Sequence, residues 1–337
     1  MRAPLVSVIL PVRDAVETLP RCLASIARQT LATHEVIAVD DGSSDGSSEA
    51  LERAAAEDPR LRVFRIPPSG LVAALNLGLT KARASLVARM DADDAAHRVR
   101  LARQARRLSE DPETAILGCR VRIVGPAGFH NRGMRDYVRW QNRLLDHDAI
   151  VREIFVESPL AHPSVMMRTR VLRALGGYRA FDGPEDYDLW LRAHAAGFRF
   201  GKLPETLLAW SDGPRRLSRT DRRYAPARFQ ALKLDALVQG PLRIGRAVVI
   251  WGAGPIGKSW GRALSRRGHA VAAFVEVDPR KIGQRVHGAP VVAVTAAASF
   301  RGALHLAAVG RPGARARIRQ VARGLGLREG HDLVAVA

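Results

Sequence analysis

Three carboxylates crowd one short stretch, Met90-Asp91-Ala92-Asp93-Asp94, directly after an apolar run, Ser85–Met90, that reads as a strand. Like charges this close repel one another unless a cation or hydrogen-bond donors gather there. Two carboxylates spaced D-x-D can share one hard divalent cation, which in turn holds phosphate oxygens. The competing structural reading is that Asp93 or Asp94 caps the helix that follows. A second acidic pair, Asp40-Asp41, closes the run Glu35–Val39 and leads into Gly42-Ser43-Ser44. Glu185-Asp186 opens a helical stretch, a place where acids also sit for electrostatic reasons alone. Far downstream, Gly252-x-Gly254-x-x-Gly257 follows a strand-like run and opens a helix, the context in which a glycine loop brings backbone N–H groups to an anion. Glu276 lies 19 positions after Gly257, where a ribose-binding acid is expected in such a unit.

The elements that position these residues follow from hydrophobic spacing. Strands are expected at Val6–Leu10, Glu35–Val39, Leu61–Ile66 and Ser85–Met90, and helices at Val16–Gln29, from Asp45 or Ser47 to about Glu57, and at Gly70–Ala82. Such alternation implies a parallel sheet covered on both faces. Both acidic clusters fall at carboxyl ends of strands, where open α/β sheets bind ligands. Tyr137–Leu145 and Glu185–Ala195 read as helices, His162–Met167 as a turn into a strand, and Asp221–Val238 as a helical connector. Gln239-Gly240-Pro241 marks a boundary. Strands Ala247–Trp251, Ala270–Val275 and Leu304–Val309 and a helix at Ala314–Leu325 then begin a second α/β unit. The expected division is a first domain over 1–240, with a connector at about 221–240, and a second over 243–337.

A chain of 337 residues with 47% hydrophobic content is long enough for two domains and too apolar for disorder. Its formal net charge is +20, and residues 243–337 alone hold 16 Lys/Arg against 4 Asp/Glu. That balance favours anionic partners such as nucleotides or phospholipid headgroups. Nucleic acid is not expected, because aromatic residues make up only 5% and no recognition motif interleaves them with the basic ones. Cys22 and Cys119 read as two reduced, buried thiols. No signal peptide or spanning segment is visible, so the expectation is a cytoplasmic protein, with peripheral contact at the inner face of a membrane as an option that its charge leaves open.

Several motifs, in order, resemble the family 2 glycosyltransferases of the GT-A fold. They are Ser7-Val-Ile-Leu-Pro11, Val39-Asp40-Asp41-Gly42-Ser43-Ser44-Asp45, Ala74-Leu-Asn76-Leu-Gly78, Met90–Asp94, His162-Pro-Ser, Gly176-Gly-Tyr178 and Glu185-Asp186-Tyr-Asp-Leu-Trp-Leu-Arg192, spread over about two-thirds of the chain. The resemblance implies inverting transfer of a sugar from a nucleotide-sugar donor to an acceptor hydroxyl in glycan or polysaccharide synthesis. It implies donor contacts at Pro11, Asp41, Asn76, Asp91 and Asp93, with Mg²⁺ or Mn²⁺ held by Asp93 with Asp91. It makes Asp186 the general base, over Glu185. His162, Glu185, Arg216 and Arg219 are candidates for acceptor or phosphate contacts, and a lipid-linked glycan is a candidate acceptor. The family often carries an aromatic-Arg pair before its final loop; here Trp210-Ser211 precedes Arg215-Arg216 and Arg219 instead. The second unit resembles Rossmann-type nucleotide-binding domains through Gly252, Gly254, Gly257 and Glu276, which implies a nucleotide as a candidate ligand there. Two other readings stay open: a nicotinamide-dependent oxidoreductase acting through that second unit, and a non-catalytic nucleotide-sugar-binding scaffold.

Overall fold

Two strands keep every residue from water: all seven residues of β1 (Val6–Val12) and all seven of β2 (His34–Asp40) are buried. Strands buried on both faces belong in the middle of a parallel sheet covered by helices. The computed structural model describes residues 3–125, 132–214, 216–242 and 245–337. These form two compact units: Met1–Ile150 with Pro159–Tyr224, and Val151–Ser158 with Ala225–Ala337.

In the first unit the strands after β1 and β2 are β3 (Leu61–Arg65), β4 (Leu86–Arg89), β5 (Ala95–Ala96), β6 (Thr114–Val124), β7 (Met166–Arg168) and β8 (Arg199–Ser211). Their spatial order is β3-β2-β1-β4-β7-β6-β8-β5. The β3-β2-β1-β4 half is parallel, β7 runs antiparallel to both of its neighbours, β8 is parallel to β6, and β5 is antiparallel to β8. The parallel strands therefore deliver Val12, Asp40 and Arg89 to one edge. Helix Leu71–Lys81 lies close on β1, because a Cβ on Gly78 would stand 2.5 Å from Ile9 Cγ2. That approach fixes the height of Asn76, two residues earlier on the same helix.

The second unit holds β9 (Val248–Trp251), β10 (Val271–Glu276), β11 (Arg285–Val286), β12 (Ala289–Ala293), β13 (Leu304–Ala307) and β14 (Leu333–Ala335), in the order β11-β12-β10-β9-β13-β14. All neighbours are parallel except the β11–β12 hairpin. Two pieces of chain from outside the expected second domain belong to this unit. Helix Pro226–Gln239, read from sequence as a connector of the first domain, is one. The segment Val151–Ser158 is the other: buried Glu153 is gripped by Arg319 at 2.6 Å and by Arg315, and Lys233 Nζ donates to the carbonyl of Val156 at 2.7 Å. Cys22 and Cys119 are free and buried. Among the described residues no helix is long and apolar enough to cross a membrane.

Candidate active site

The acidic stretch begins where β4 ends. Asp91, Asp93 and Asp94 each offer a carboxylate oxygen within 4.8 Å of the others. The chain then runs straight into β5, and the next helix starts only at Arg100, so neither Asp93 nor Asp94 is a helix cap. Asp94 is fully buried; one oxygen accepts the Ser211 N–H at 2.7 Å, and the other has no hydrogen-bond partner. Burial and the neighbouring Asp91 charge push Asp93 up to about 6, and burial with the charges of Asp91 and Asp93 also raises Asp94 well above the usual carboxylate range. Carboxyl groups held this way, with one buried oxygen orphaned, have the chemistry of a cation site.

The surrounding cations are specific. Arg89, itself buried, reaches Asp91 Oδ1 at 2.6 Å. Buried Arg100 supports it by donating to the Arg89 carbonyl at 2.8 Å. Arg21 donates to the Asp93 carbonyl at 2.5 Å and to Ser211 Oγ at 3.0 Å, which ties the end of β8 to the acidic loop. Arg216 lies 4.0 Å over the Trp210 ring, and its charge favours the ionised forms of Asp93 and Asp94. Arg219 is committed elsewhere: it forms a fork on the buried carboxylate of Asp212, with contacts of 2.7 to 3.1 Å. Arg215 lies outside the described residues.

At the end of β2, Asp41 is buried and accepts N–H groups from Ser69 at 2.6 Å and Gly70 at 2.9 Å. It thereby fixes the loop before helix Leu71–Lys81. Asp40 accepts the Ser43 N–H at 3.0 Å and the Ser48 hydroxyl, closing the turn between them. Pro11 is buried in β1 opposite Val39. Asn76 spends both ends of its amide on Tyr178, accepting its N–H at 2.9 Å and donating to its carbonyl at 2.8 Å. It anchors the Gly176-Gly177-Tyr178 turn.

That turn leads to a second buried polar group. His162 shares a hydrogen bond with the Tyr178 hydroxyl at 2.9 Å and faces Glu185 across 3.7 Å. Burial and then Arg89 hold the imidazole well below its usual pKa, so it stays neutral. Glu185 is buried and accepts the Tyr224 hydroxyl at 2.7 Å; burial raises its pKa against that hydrogen bond. Asp186 is half-buried and accepts the N–H of Tyr187 at 2.7 Å. The two adjacent acids at the start of helix Glu185–Ala195 therefore differ in access: one is sealed in, the other reaches solvent.

The glycine loop of the second unit is explained by packing. A Cβ on Gly257 would stand 1.8 Å from the Gly252 carbonyl, and Gly252, at φ +107°, has Val309 within 2.6 Å of its own missing Cβ; Gly254 faces open space. Glu276 turns back to accept the Ala253 N–H at 3.1 Å and pairs with Lys281 at 3.2 Å.

Arg89, Arg21 and Tyr224 were not singled out from sequence, and Tyr178 and Ser211 appeared there only inside quoted motifs, with no role. Arg89 carried a signal, a cation inside an otherwise apolar strand directly before three acids. Arg21 and Tyr224 come from distant chain positions and carried none.

A match to glycosyl transferase family 2 runs over residues 7–176. Among characterised relatives, the chain is similar to the amylovoran biosynthesis glycosyltransferase AmsE of Erwinia amylovora, 30% identical over 58% of this chain and 71% of that protein. It is also similar to the O-antigen biosynthesis glycosyltransferase WbnJ of Escherichia coli, 27% identical over 60% of this chain and 78% of that one. In fold it resembles S. aureus TarS 1–349 in complex with UDP-GlcNAc, with TM-score 0.56 and 19% identity over 69% of this chain and 66% of that one. It likewise resembles the mannosyltransferase PcManGT of Pyrobaculum calidifontis in complex with GDP-Man and Mn²⁺, with TM-score 0.53 and 20% identity over 79% and 76%. These neighbours are GT-A-type glycosyltransferases, and the mixed sheet with its acidic strand ends is of that type. The chain is a glycosyltransferase and belongs to glycosyltransferase family 2.

Proposed function

We propose that the protein transfers a sugar from a nucleoside-diphosphate donor to an acceptor hydroxyl with inversion at the anomeric carbon, in the building of a surface polysaccharide. The observation that carries this is the convergence of Asp91, Asp93 and Asp94 within 4.8 Å, with one buried oxygen of Asp94 unpartnered. Asp93 with Asp91 would hold Mg²⁺ or Mn²⁺. When bound, such a cation supplies positive charge that offsets the charge building on a leaving diphosphate. Arg216, braced on Trp210 beside the cluster, is the side chain suited to a phosphate oxygen; Arg219 serves by fixing Asp212. Asp41 and Pro11 shape the donor end through the Ser69-Gly70 loop and the edge of β1. Asn76 acts on the donor side as a positioning group.

Inversion takes one in-line displacement, so a carboxylate must accept the acceptor proton on the face opposite the leaving group. Asp186 suits that task because it is accessible, whereas Glu185 is buried against Tyr224 and His162. The second unit is read as a Rossmann-like accessory domain. Its β12-β10-β9-β13-β14 order has the chain reversing beside β9, as in that class. Its task is read as structural or docking, because Glu276 already occupies the Ala253 N–H that an anion would need. NMR of the product linkage tests the proposal: the transferred sugar should carry the anomeric configuration opposite to that of the donor. Retention would rule out Asp186 as the base of a single displacement.

A further inference from the structure

The acidic cluster is ringed by more positive charge than the pairing of its carboxylates requires. Arg89 is buried, and its Nη2 sits 2.6 Å from Asp91 Oδ1. Its Nη1 donates to the Met90 carbonyl, while its Nε is buried without a hydrogen-bond partner. Arg100 is buried behind it and spends its hydrogen bonds on neutral groups: the Arg89 carbonyl at 2.8 Å, Gln104 Oε1 at 3.1 Å and the Met90 sulfur at 3.4 Å. Among the described residues Arg100 forms no ion pair. A buried guanidinium with no carboxylate in contact is costly, so its position needs a reason. Its charge acts on Asp94, as those of Arg89 and Arg216 act on Asp93. Arg21 stands on the Asp93 carbonyl at 2.5 Å.

This arrangement changes what the cluster does to a cation. The affinity of a carboxylate site for a hard divalent cation rises with the negative charge that the site presents. Asp91, Asp93 and Asp94 on their own would repel one another and draw a cation strongly. Here Arg89 has taken one oxygen of Asp91, and fixed positive charge inside the protein offsets much of the rest. Arg89 and Arg100 are sealed from solvent, so salt screens that offset little. A nucleoside diphosphate reverses the balance. Its phosphates bring negative charge of their own beside Arg216 and complete the oxygen shell of a cation. We infer that Arg89, backed by Arg100, is a positioning residue that gates the cation: by holding Asp91 and offsetting the charge of the cluster, it keeps a divalent cation from loading until a nucleoside diphosphate arrives with it. The inference rests on the metal-assisted reading of the cluster and adds to it the order of loading and the residue that sets that order.

The test is equilibrium dialysis of the full-length protein against Mn²⁺, in which only cation retained by the protein counts. Retention that Asp93→Ala also shows lies outside the cluster and is subtracted. Wild type alone should hold Mn²⁺ with a Kd weaker than about 10⁻⁴ M, the weak end of carboxylate sites. One of UDP, GDP, dTDP, CDP or ADP should tighten it by at least about tenfold. Arg89→Met should tighten Mn²⁺ without nucleotide by about tenfold or more, and Arg100→Met should shift it the same way by less, because each removes charge that opposes the cation. Arg89→Lys keeps the charge and should stay within about threefold of wild type. A merely structural role would give the opposite sign, since a loosened Asp91 holds a cation less well. Weaker or unchanged Mn²⁺ binding by Arg89→Met that melts as a folded protein would overturn the gate. Wild type that holds Mn²⁺ as tightly without nucleotide as with it would also overturn the gate while leaving the metal reading intact, and this comparison stands even where neither variant folds. No retention at the cluster by any of these proteins, with any of the nucleotides, would sink the metal reading and the gate together.

Discussion

Glu185 and Asp186 are chain neighbours with opposite surroundings, and that difference decides which can do chemistry. Glu185 is sealed between His162 and the Tyr224 hydroxyl, whereas Asp186 keeps access to solvent. Asp186→Asn should retain donor affinity and thermal stability and lose transfer by about 10²–10⁴. Glu185→Gln should instead lower the melting temperature, because an amide nitrogen set against the Tyr224 hydroxyl leaves a buried polar group unmatched, at a cost of about 1–3 kcal/mol. Steady-state kinetics beside thermal melts separate the two, and the opposite pattern would move the base to Glu185. Asp91, Asp93 and Asp94 were legible in the sequence because charge at the end of a buried strand conflicts with burial and needs a reason. Glu185 and Asp186 open a helix, where acids sit for electrostatic reasons alone, and stood out only through the resemblance. Their supports were not legible: Tyr224 reads as part of a helical connector, and nothing in its neighbourhood points 39 positions back to Glu185.

At the scale of elements, the parallel strands and the helices between them follow from plain hydrophobic spacing. The strands β6 and β8 escaped it. Arg120 and Arg122 interrupt one, and Lys202, Pro204 and Glu205 interrupt the other. The structure resolves part of the conflict by bonding: Lys202, though buried, donates to the carbonyls of Pro159, at 2.9 Å, and Gln141. The glycine loop was legible as a motif, but its cause is steric. Gly257→Ala puts a methyl group 1.8 Å from a carbonyl oxygen and should cost several kcal/mol, on the order of an overpacked core site or more, while Gly254→Ala, facing open space, should stay within about 1 kcal/mol. Thermal melts of the two variants check this; equal effects would contradict it. Asp332 ties the start of β14 in place, accepting Arg328 N–H at 3.0 Å and pairing with His331 at 2.7 Å. Burial pushes its carboxyl up, but hydrogen bonds from His331 and Arg328 outweigh burial and hold it far below the usual range. A depressed carboxyl contributes stability that is present above its unfolded value, about 3.9, and is lost as pH falls towards the folded one. Asp332→Asn should therefore melt earlier than wild type at pH 7, with the gap closing below about pH 4. A gap that widens on acidification would contradict the assignment.

For the whole molecule, the segment Val151–Ser158 matters most, and no local pattern reveals it. The sequence is expected to divide near residue 240, yet the second unit also takes these residues and buries Glu153 between two arginines. A chain ending at Tyr224 would leave Glu153 without those partners and Val156 without the core it packs on. Such a chain should aggregate, and Val156→Ser together with Phe155→Ser should restore solubility by removing exposed apolar surface, each large side chain being worth about 1.5–3 kcal/mol when buried. Gel filtration checks it; a monodisperse, stable truncation without those changes would contradict the entanglement. The central claim is narrower and concerns the acidic cluster. Its most direct measurement is calorimetry of nucleotide-sugars on the full-length protein, with and without Mn²⁺, for wild type and Asp93→Ala. One nucleotide-sugar should bind wild type in a Mn²⁺-dependent way, and Asp93→Ala should abolish that dependence while the protein stays folded. Donor binding that is equally tight without Mn²⁺, or unchanged Mn²⁺ dependence in Asp93→Ala, would contradict it.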